Sequence, residues 1–147
     1  MRELICTMGF PRSGKSIWCE TKRKQGIPVV CPDQIRLSTH GKLIDWDKEG
    51  LVWNRVKFMV QYLFDQGYEE VIFDATNYRL RNRKEPKKWA KALGVSISFK
   101  HFKTSKEECI QRAKNGERED LIEVIEKQSN LFQPLGKDEK EYLEDSI

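Results

Sequence analysis

Four short runs of apolar residues along the chain have the length and composition of buried β-strands. They cover residues 4–8, 28–31, 70–73 and 95–102. Glycine, proline or a polar residue bounds each run, and such continuous apolar runs are typical of strands that are covered on both faces. We therefore predict four strands that pair in one buried sheet.

Amphipathic helical patterns separate these runs. One covers residues 16–24, a longer one covers 47–66 and ends at Gly67, and a third covers 83–93 and ends at Gly94. In the longer pattern, apolar residues recur at the spacing of one helix face. Strands that alternate with helices favour βαβ units, and thus a parallel sheet with helices on both faces and the first strand in its middle.

The chain becomes helical after the fourth run. Ser105 and Glu108 form a capping box that predicts one helix, Asn115-Gly116 ends it, and a second helix is predicted over residues 120–131. Neither a repeat nor a linker divides the chain. We predict one domain over residues 1–147, with a helical lid at about residues 105–132.

Size and composition exclude several classes of protein. The chain has 147 residues, 38% of them hydrophobic and 34% charged, which suffices for one core. It has neither a long apolar segment nor a signal-peptide pattern, so we expect a cytoplasmic protein that does not bind membranes. Its four scattered cysteines lack metal-ligand spacing and are expected to be reduced thiols.

Charge is uneven along the chain although the net charge is only +4. Between residues 79 and 91, seven of thirteen residues are basic and one, Glu85, is acidic. Such a run is compatible with a surface that binds phosphates and equally with an ordinary solvated helix face.

Residues 9–16, with the sequence GFPRSGKS, match the phosphate-binding pattern G-x-x-x-x-G-K-[ST]. They lie directly after a predicted strand and before a predicted helix, as this motif requires. Glycines allow the backbone N–H groups to point at phosphate oxygens, the lysine contacts the β- and γ-phosphates, and the serine hydroxyl binds Mg²⁺. The predicted ligand is a nucleoside triphosphate with Mg²⁺, and the predicted binding residues are Gly9, Ser13, Gly14, Lys15 and Ser16.

Two acidic residues follow other strands at the same predicted sheet edge. Asp33 comes after the second strand, with Arg36 one helical turn later. A carboxylate there can accept the proton of an attacking hydroxyl, and the arginine can bind a phosphate; the alternative is a helix-capping aspartate paired with its arginine. Asp74 ends the third strand, where it can orient a water on Mg²⁺ or simply form a turn.

The chain lacks the N-K-x-D motif of GTPases and the length of an ATPase motor, so a small kinase fits best. It resembles the polynucleotide kinase family, in particular the 5′-hydroxyl kinase domain of phage and bacterial end-healing enzymes, from Leu4 to about Phe132. The resemblance rests on residues 9–16 with Trp18, Asp33-Gln34-Ile35-Arg36, Asp74-Ala75-Thr76-Asn77, Trp89, and Arg112 with Arg118.

This resemblance implies a P-loop kinase three-layer α/β sandwich with a central parallel sheet of about four strands and a helical lid. It implies transfer of the γ-phosphate of ATP to 5′-hydroxyl ends of DNA or RNA. The general base would be Asp33, and Arg36 would bind the 3′-phosphate of the terminal nucleotide.

The resemblance also assigns roles in the lid and after the third strand. Arg118, with Arg112 as a second candidate, would bind the phosphates of the nucleotide, and Lys15, Arg118 and Mg²⁺ would stabilise the transferred group. Ser16 and Asp74 are the expected metal ligands. Thr76 and Asn77 are expected to be substrate-side or sheet-edge polar groups.

Other readings stay open. The acceptor could instead be a small metabolite or a hydroxymethylated base in DNA, or the chain could bind nucleotide without transferring phosphate. The phosphatase motif D-x-D-G-T is absent from the sequence, so we expect any 3′-phosphatase or ligase activity to come from a separate partner. Neither the preference for DNA or RNA nor the oligomeric state follows from the sequence.

Overall fold

The computed structural model describes residues 2–41 and 48–144. In this part of the chain, strands and helices follow one another as the sequence predicts. The strands are β1 (Glu3–Met8), β2 (Val29–Val30), β3 (Glu70–Phe73) and β4 (Ser96–His101). The helices are α1 (Lys15–Lys24), α2 (Pro32–His40), α3 (Glu49–Asp65), α4 (Leu80–Leu93), α5 (Lys106–Asn115) and α6 (Asp120–Leu131).

The strands form one parallel sheet in the order β2-β3-β1-β4. Cys6 of β1 pairs with Phe73 of β3 on one side and with Phe99 of β4 on the other. The predicted parallel sheet, with the strand that precedes the phosphate-binding motif in its interior, is confirmed.

Helices cover both faces of the sheet. On one face, α3 buries Val52, Val56, Val60 and Phe64, a row with the i to i+4 spacing of one helix face, in a core shared with Trp89 of α4. On the other face, Cys19 of α1 packs against Ile5 and Ile72. The three-layer α/β sandwich is therefore confirmed, although the predicted first residue of the long helix, Asp47, lies outside the described residues.

Helix α2 is longer than the sequence pattern suggested, which placed only one helical turn between Asp33 and Arg36. Pro32 begins it, Asp33 lies in its first turn, and Gly41 ends it with a φ of 72°. Proline at the first helical position and an acid in the first turn are start signals that were available in the sequence. The helix has little apolar periodicity because much of it faces solvent.

The basic run at residues 79–91 is not a uniform surface. Arg83 of α4 is completely buried and pairs with the buried Glu139 at 2.7 Å, and Lys87 pairs with the same carboxylate at 2.8 Å. The Arg83 guanidinium also donates to the carbonyl oxygens of Asn77 (2.8 Å), Gln133 (3.1 Å) and Pro134 (3.2 Å). Two of the seven basic residues, Arg83 and Lys87, therefore form internal ion pairs that join α4 to the C-terminal segment.

That segment also extends the sheet. The Phe99 N–H donates to the Lys140 carbonyl at 2.9 Å, and the Tyr142 N–H donates to the Phe99 carbonyl at 2.8 Å. Residues 140–142 thus follow the outer edge of β4 and satisfy part of its backbone.

Two other expectations can be compared with the described residues. All four cysteines are free thiols, and Cys6, Cys19 and Cys109 are buried. Within the described ranges, no helix is both long and apolar enough to cross a bilayer.

The ion pair between Arg83 and Glu139 generates a stability prediction. Burial alone would raise the pKa of Glu139, but hydrogen bonds from Arg83 and Lys87 lower it to about 2. Glu139→Gln leaves the buried guanidinium without its counter-charge, so we expect the free energy of unfolding in urea to fall by about 3 kcal/mol. The matched control is Glu85→Gln, on the exposed surface of α4, the helix that contains Arg83. It should change the free energy of unfolding by less than about 0.5 kcal/mol.

The same pair predicts a pH dependence. Because the folded-state pKa of Glu139 lies below its ordinary value of 4.5, its contribution is complete above that pH and is lost as the pH falls towards about 2. The difference in unfolding free energy between the unmodified protein and Glu139→Gln should shrink over this interval. A difference that stays constant from pH 7 to pH 3 would contradict this account.

Candidate functional site

The carboxyl ends of the four strands meet at one edge of the sheet, and the predicted site residues gather there. Residues 9–16 follow β1, Asp33 lies just after β2, Asp74 ends β3 and Phe102 follows β4. Ligands of open α/β sheets bind at this edge because the loops there converge on a crevice.

Residues 9–16 form a loop that turns tightly from β1 into α1. The Gly9 N–H donates to the Thr76 carbonyl at 3.1 Å, and Gly14 takes a φ of 107° just before the helix. A Cβ atom on Gly9 would lie 2.8 Å from the Ser13 Oγ and 3.0 Å from the Phe102 Cβ. Glycine is thus required at residue 9 by close approach and at residue 14 by backbone conformation.

Lys15 lies folded over this loop. Its Nζ donates to the Gly9 carbonyl at 2.6 Å and to the Phe10 carbonyl at 2.9 Å. Burial lowers the pKa of Lys15, while the negative charges of Asp74 and Asp33 act in the opposite direction. The ammonium group, the helix N-terminus and both carboxylates therefore share one electrostatic environment, which suits a phosphate chain with a bound cation.

A buried set of polar groups joins the end of β1 to the end of β3. The Thr7 Oγ1 accepts from the Ala75 N–H at 3.0 Å and lies 3.0 Å from the Asp74 Oδ1. The Asn77 Nδ2 donates to the Thr7 carbonyl at 2.7 Å. Sequence reasoning missed Thr7, whose only signal is a polar residue in an otherwise apolar strand.

These contacts bear on the predicted role of Thr76 and Asn77 as substrate-side or sheet-edge polar groups. Asn77 is 2% exposed and its side-chain amide donates to the Thr7 carbonyl of β1, which favours the sheet-edge role for this residue. Thr76 supplies its carbonyl to the Gly9 N–H, while its side chain is half-buried.

Ser16 and Asp74 have the oxygen donors that Mg²⁺ prefers. Ser16 is exposed in the first turn of α1, and Asp74 is half-buried at the end of β3. Among the described residues, no group of three or more His, Cys, Asp or Glu side chains could hold a metal. The two oxygen donors of Ser16 and Asp74 fit a magnesium ion that takes its other ligands from phosphate and water, as is usual for nucleotide sites.

The Asp33 carboxylate and the Arg36 guanidinium are in contact. Asp33 is 63% exposed, and its Oδ1 accepts from the Arg36 Nη1 at 2.7 Å. Arg36 also donates to Glu49 at 2.6 Å, and its Cζ lies 5.9 Å from the centre of the Trp53 ring. Burial by itself would lower the pKa of Arg36, but the hydrogen bonds that its guanidinium donates to Glu49 and Asp33 raise it. The ion pair between Asp33 and Arg36, which the sequence analysis gave as the alternative to a catalytic role, is therefore present. Glu49 and Trp53 orient its guanidinium.

The lid packs on the phosphate loop. Phe10 of the loop lies against a cluster that contains Cys109 and Ala113 of α5 and Ile125 of α6. The predicted capping box starts α5 as expected, because the Ser105 Oγ accepts from the Glu108 N–H at 3.1 Å.

The lid arginines differ in their contacts. Arg112 donates to the Arg12 carbonyl at 3.1 Å and to Glu108 at 3.2 Å, so it contacts the loop directly. Arg118 instead pairs with Asp120 at 3.0 Å, and this hydrogen bond raises the pKa of Arg118. Both are surface residues, and only Arg112 is joined to the loop by a hydrogen bond.

Cavities lie on two sides of these elements. One of about 270 Å³ adjoins the loop, with Gly9, Phe10, Phe102 and Phe132 among its lining residues. A larger one of about 550 Å³ runs along β2 and is lined mainly by apolar side chains of α2, α3 and residues 26–30.

The sheet order, the loop and the lid together define a P-loop kinase domain. A family model described as an AAA domain, AAA_33, matches residues 4–135. Since this match spans most of the chain, the chain belongs to that family. No curated protein matches the chain in sequence.

Solved structures give the same fold. A chain of the Pnkp1/Rnl/Hen1 complex is 29% identical over 76% of this chain and 38% of its own length, with a TM-score of 0.67. A chain of the Pnkp1/Rnl/Hen1 RNA repair complex is 22% identical over 89% of this chain and 47% of its own length, with a TM-score of 0.68. The chain spans less than half the length of either.

A third likeness concerns a small-molecule kinase. A gluconokinase from Sinorhizobium meliloti 1021 is 18% identical over 96% of this chain and 82% of its own length, with a TM-score of 0.61. At this identity the likeness shows the fold alone.

Proposed function

We propose that the chain is an ATP-dependent polynucleotide 5′-hydroxyl kinase domain. The observation that carries the proposal is the placement of the exposed Asp33 carboxylate, held by Arg36, at the sheet edge where Lys15 covers the phosphate loop. In this proposal Asp33 is the base, Arg36 is the phosphate-binding cation, and the phosphate loop with Lys15 is the triphosphate site. This is the arrangement that in-line transfer to a hydroxyl needs.

The nucleotide site is built on the loop. Backbone N–H groups at residues 14–16 bind the phosphate chain, and Lys15 exchanges its two carbonyl contacts for β- and γ-phosphate oxygens. Ser16 and Asp74 hold Mg²⁺, which neutralises charge on the phosphates when bound. The cavity beside Phe10 and Phe132 receives the base, because aromatic side chains stack well on a purine.

The acceptor site is built on α2. Asp33 accepts the proton of the 5′-hydroxyl, whose oxygen forms the new bond to the γ-phosphorus while the bond to the β–γ bridging oxygen breaks and ADP leaves. Arg36 binds the phosphate on the 3′ side of the same nucleotide, and its bonds to Glu49 keep the guanidinium in place. Arg112 and Arg118 supply positive charge from the lid, Arg118 by exchanging Asp120 for a phosphate oxygen.

The outer face of α4 supports a polymeric acceptor. Arg81, Lys84 and Lys91 are exposed and lie three and seven residues apart, on one helix face. Within residues 2–41 and 48–144, no acidic side chain pairs with them. Because α4 runs antiparallel to the strands, Arg81 lies at the sheet edge that carries the site and Lys91 lies towards the opposite edge of the sheet. Arg81, Lys84 and Lys91 are here called the α4 stripe. They form a surface that can bind successive phosphates of a nucleic-acid backbone.

The relatives bear on the choice of polymer and partners. A similar chain occurs in an RNA repair complex, which supports RNA ends as acceptors and a separate phosphatase or ligase as a partner. DNA ends are the other acceptor that this chemistry accommodates.

Transfer from γ-labelled ATP tests the proposal. Label should appear on oligonucleotides with a 5′-hydroxyl end and not on the same oligonucleotides with a 5′-phosphate. Label on nucleosides, sugars or gluconate instead would identify a small-molecule kinase, and ATP binding without any labelled acceptor would identify a binding module.

Asp33→Asn should lower the rate of transfer by about 10²- to 10⁴-fold, because the general base is lost. ATP affinity, measured by calorimetry, should change less than about 2-fold, since Asp33 does not contact the loop. Ser38→Ala, on the exposed side of the same helix, is the matched control and should leave both values unchanged. Undiminished turnover in Asp33→Asn would refute the assignment of the base.

Neutralising the α4 stripe with Arg81→Gln, Lys84→Gln and Lys91→Gln should raise the KM of an acceptor of about 20 nucleotides roughly 10-fold at low salt. The KM of a nucleoside 3′-phosphate and the value of kcat should stay the same, because the short acceptor does not reach the stripe. The control removes the same net charge from three separate surfaces, with Lys24→Gln, Lys57→Gln and Lys127→Gln. Equal effects of the two triple variants would show that only net charge matters.

A further inference from the structure

Arg12 has an unusual backbone conformation within the phosphate loop. Its φ is 68°, in the left-handed region that residues other than glycine rarely adopt. Its carbonyl accepts the hydrogen bond from the Arg112 Nη1 of the lid at 3.1 Å. A glycine would adopt this conformation more easily, so the arginine side chain calls for a reason of its own.

The side chain of Arg12 reaches the turn between α5 and α6. A Cβ atom on Gly116 would lie 3.3 Å from the Arg12 Nη2 and 3.5 Å from its Cζ. Gly116 has a φ of −92°, which any residue can adopt, so its backbone does not require glycine. The missing side chain at residue 116 instead leaves room for the guanidinium to lie against the lid.

Two carboxylates of α5 and α6 pair with arginines other than Arg12. Glu108 pairs with Arg112, and Asp120 pairs with Arg118. Within the described part of the chain, no carboxylate forms an ion pair with Arg12. Its charge is felt only at a distance: the hydrogen bond from Arg118 lowers the pKa of Asp120, and Arg12 adds to this effect.

We propose that Arg12 is a positioning residue that ties the lid to the phosphate loop, so that a bound triphosphate sets the position of the lid arginines. Its carbonyl accepts a hydrogen bond from Arg112, and its guanidinium lies against the turn at Gly116 that leads to Arg118. A nucleotide in the loop fixes residues 9–16, and through both contacts it fixes α5 and the start of α6. The inference rests on the proposed function only in that this loop binds a nucleoside triphosphate, and it is independent of the acceptor.

The first measurement is hydrogen exchange over residues 106–131 with Mg²⁺ and a non-hydrolysable ATP analogue. The unmodified protein should gain protection in the lid when the analogue binds. Arg12→Gly, which removes the guanidinium, should lose most of this gain, and Gly116→Ala, whose Cβ makes the guanidinium shift by a few tenths of an ångström, should lose part of it. The analogue should bind both variants within about 3-fold of its original affinity. Gly50→Ala, where a Cβ meets nothing within 4 Å, is the matched glycine control and should behave like the unmodified protein.

The second measurement is a double-mutant cycle on the rate of phosphoryl transfer. Each single variant should lower kcat about 10-fold with a smaller effect on the KM for ATP, and Arg12→Lys should recover part of it. In the double variant the loss of kcat should be no greater than in Arg12→Gly alone, because both substitutions act on the same contact between the Arg12 guanidinium and the turn at Gly116.

The outcomes separate this inference from the proposed function. If the analogue binds and the lid of Arg12→Gly is protected as well as that of the unmodified protein, the inference is wrong and the proposed function is unaffected. The inference is also wrong, and the proposed function unaffected, if Gly116→Ala lowers kcat as much in the Arg12→Gly variant as it does in the unmodified protein. If the unmodified protein does not bind the analogue, the proposed function is wrong and the inference falls with it.

Discussion

The hydrogen bonds between the end of β1 and the end of β3 hold the rest of the site in place. Thr7 receives the Ala75 N–H on its side chain and the Asn77 amide on its carbonyl, and the Gly9 N–H reaches the Thr76 carbonyl. These short contacts fix the phosphate loop against the segment that carries Asp74. A base, a cation and a metal-binding carboxylate can be preorganised only on such a rigid support.

Support for this junction continues into the core through Arg83. Its guanidinium binds the carbonyl of Asn77 and, through Glu139, joins the C-terminal segment to the sheet. A buried charge is tolerated here because a carboxylate and several carbonyl groups surround it. The charges at the site are arranged differently, since Asp33, Arg112 and Arg118 are exposed and Arg36 is half-buried.

The family and the solved relatives bear on the fold of the chain but not on its acceptor. What they share with this chain is the P-loop kinase fold. In the proposed function the acceptor is bound by other elements, α2 and the face of α4. A polynucleotide acceptor is accordingly a proposal about these surfaces, whereas the P-loop kinase fold follows from the shared core.

Local patterns in the sequence were enough to predict the sheet, the phosphate loop and the two lid helices, because the apolar runs, the G-x-x-x-x-G-K-S motif and the capping box at Ser105 act over a few residues. Tertiary structure alone decided which cations of α4 are internal, since the partner of Arg83 lies 56 positions away at Glu139. It also decided that Asn77 serves β1, that Glu49 holds Arg36, and that Gly116 makes room for Arg12. Each of these depends on a contact between residues far apart in the chain, for which local periodicity carries no signal.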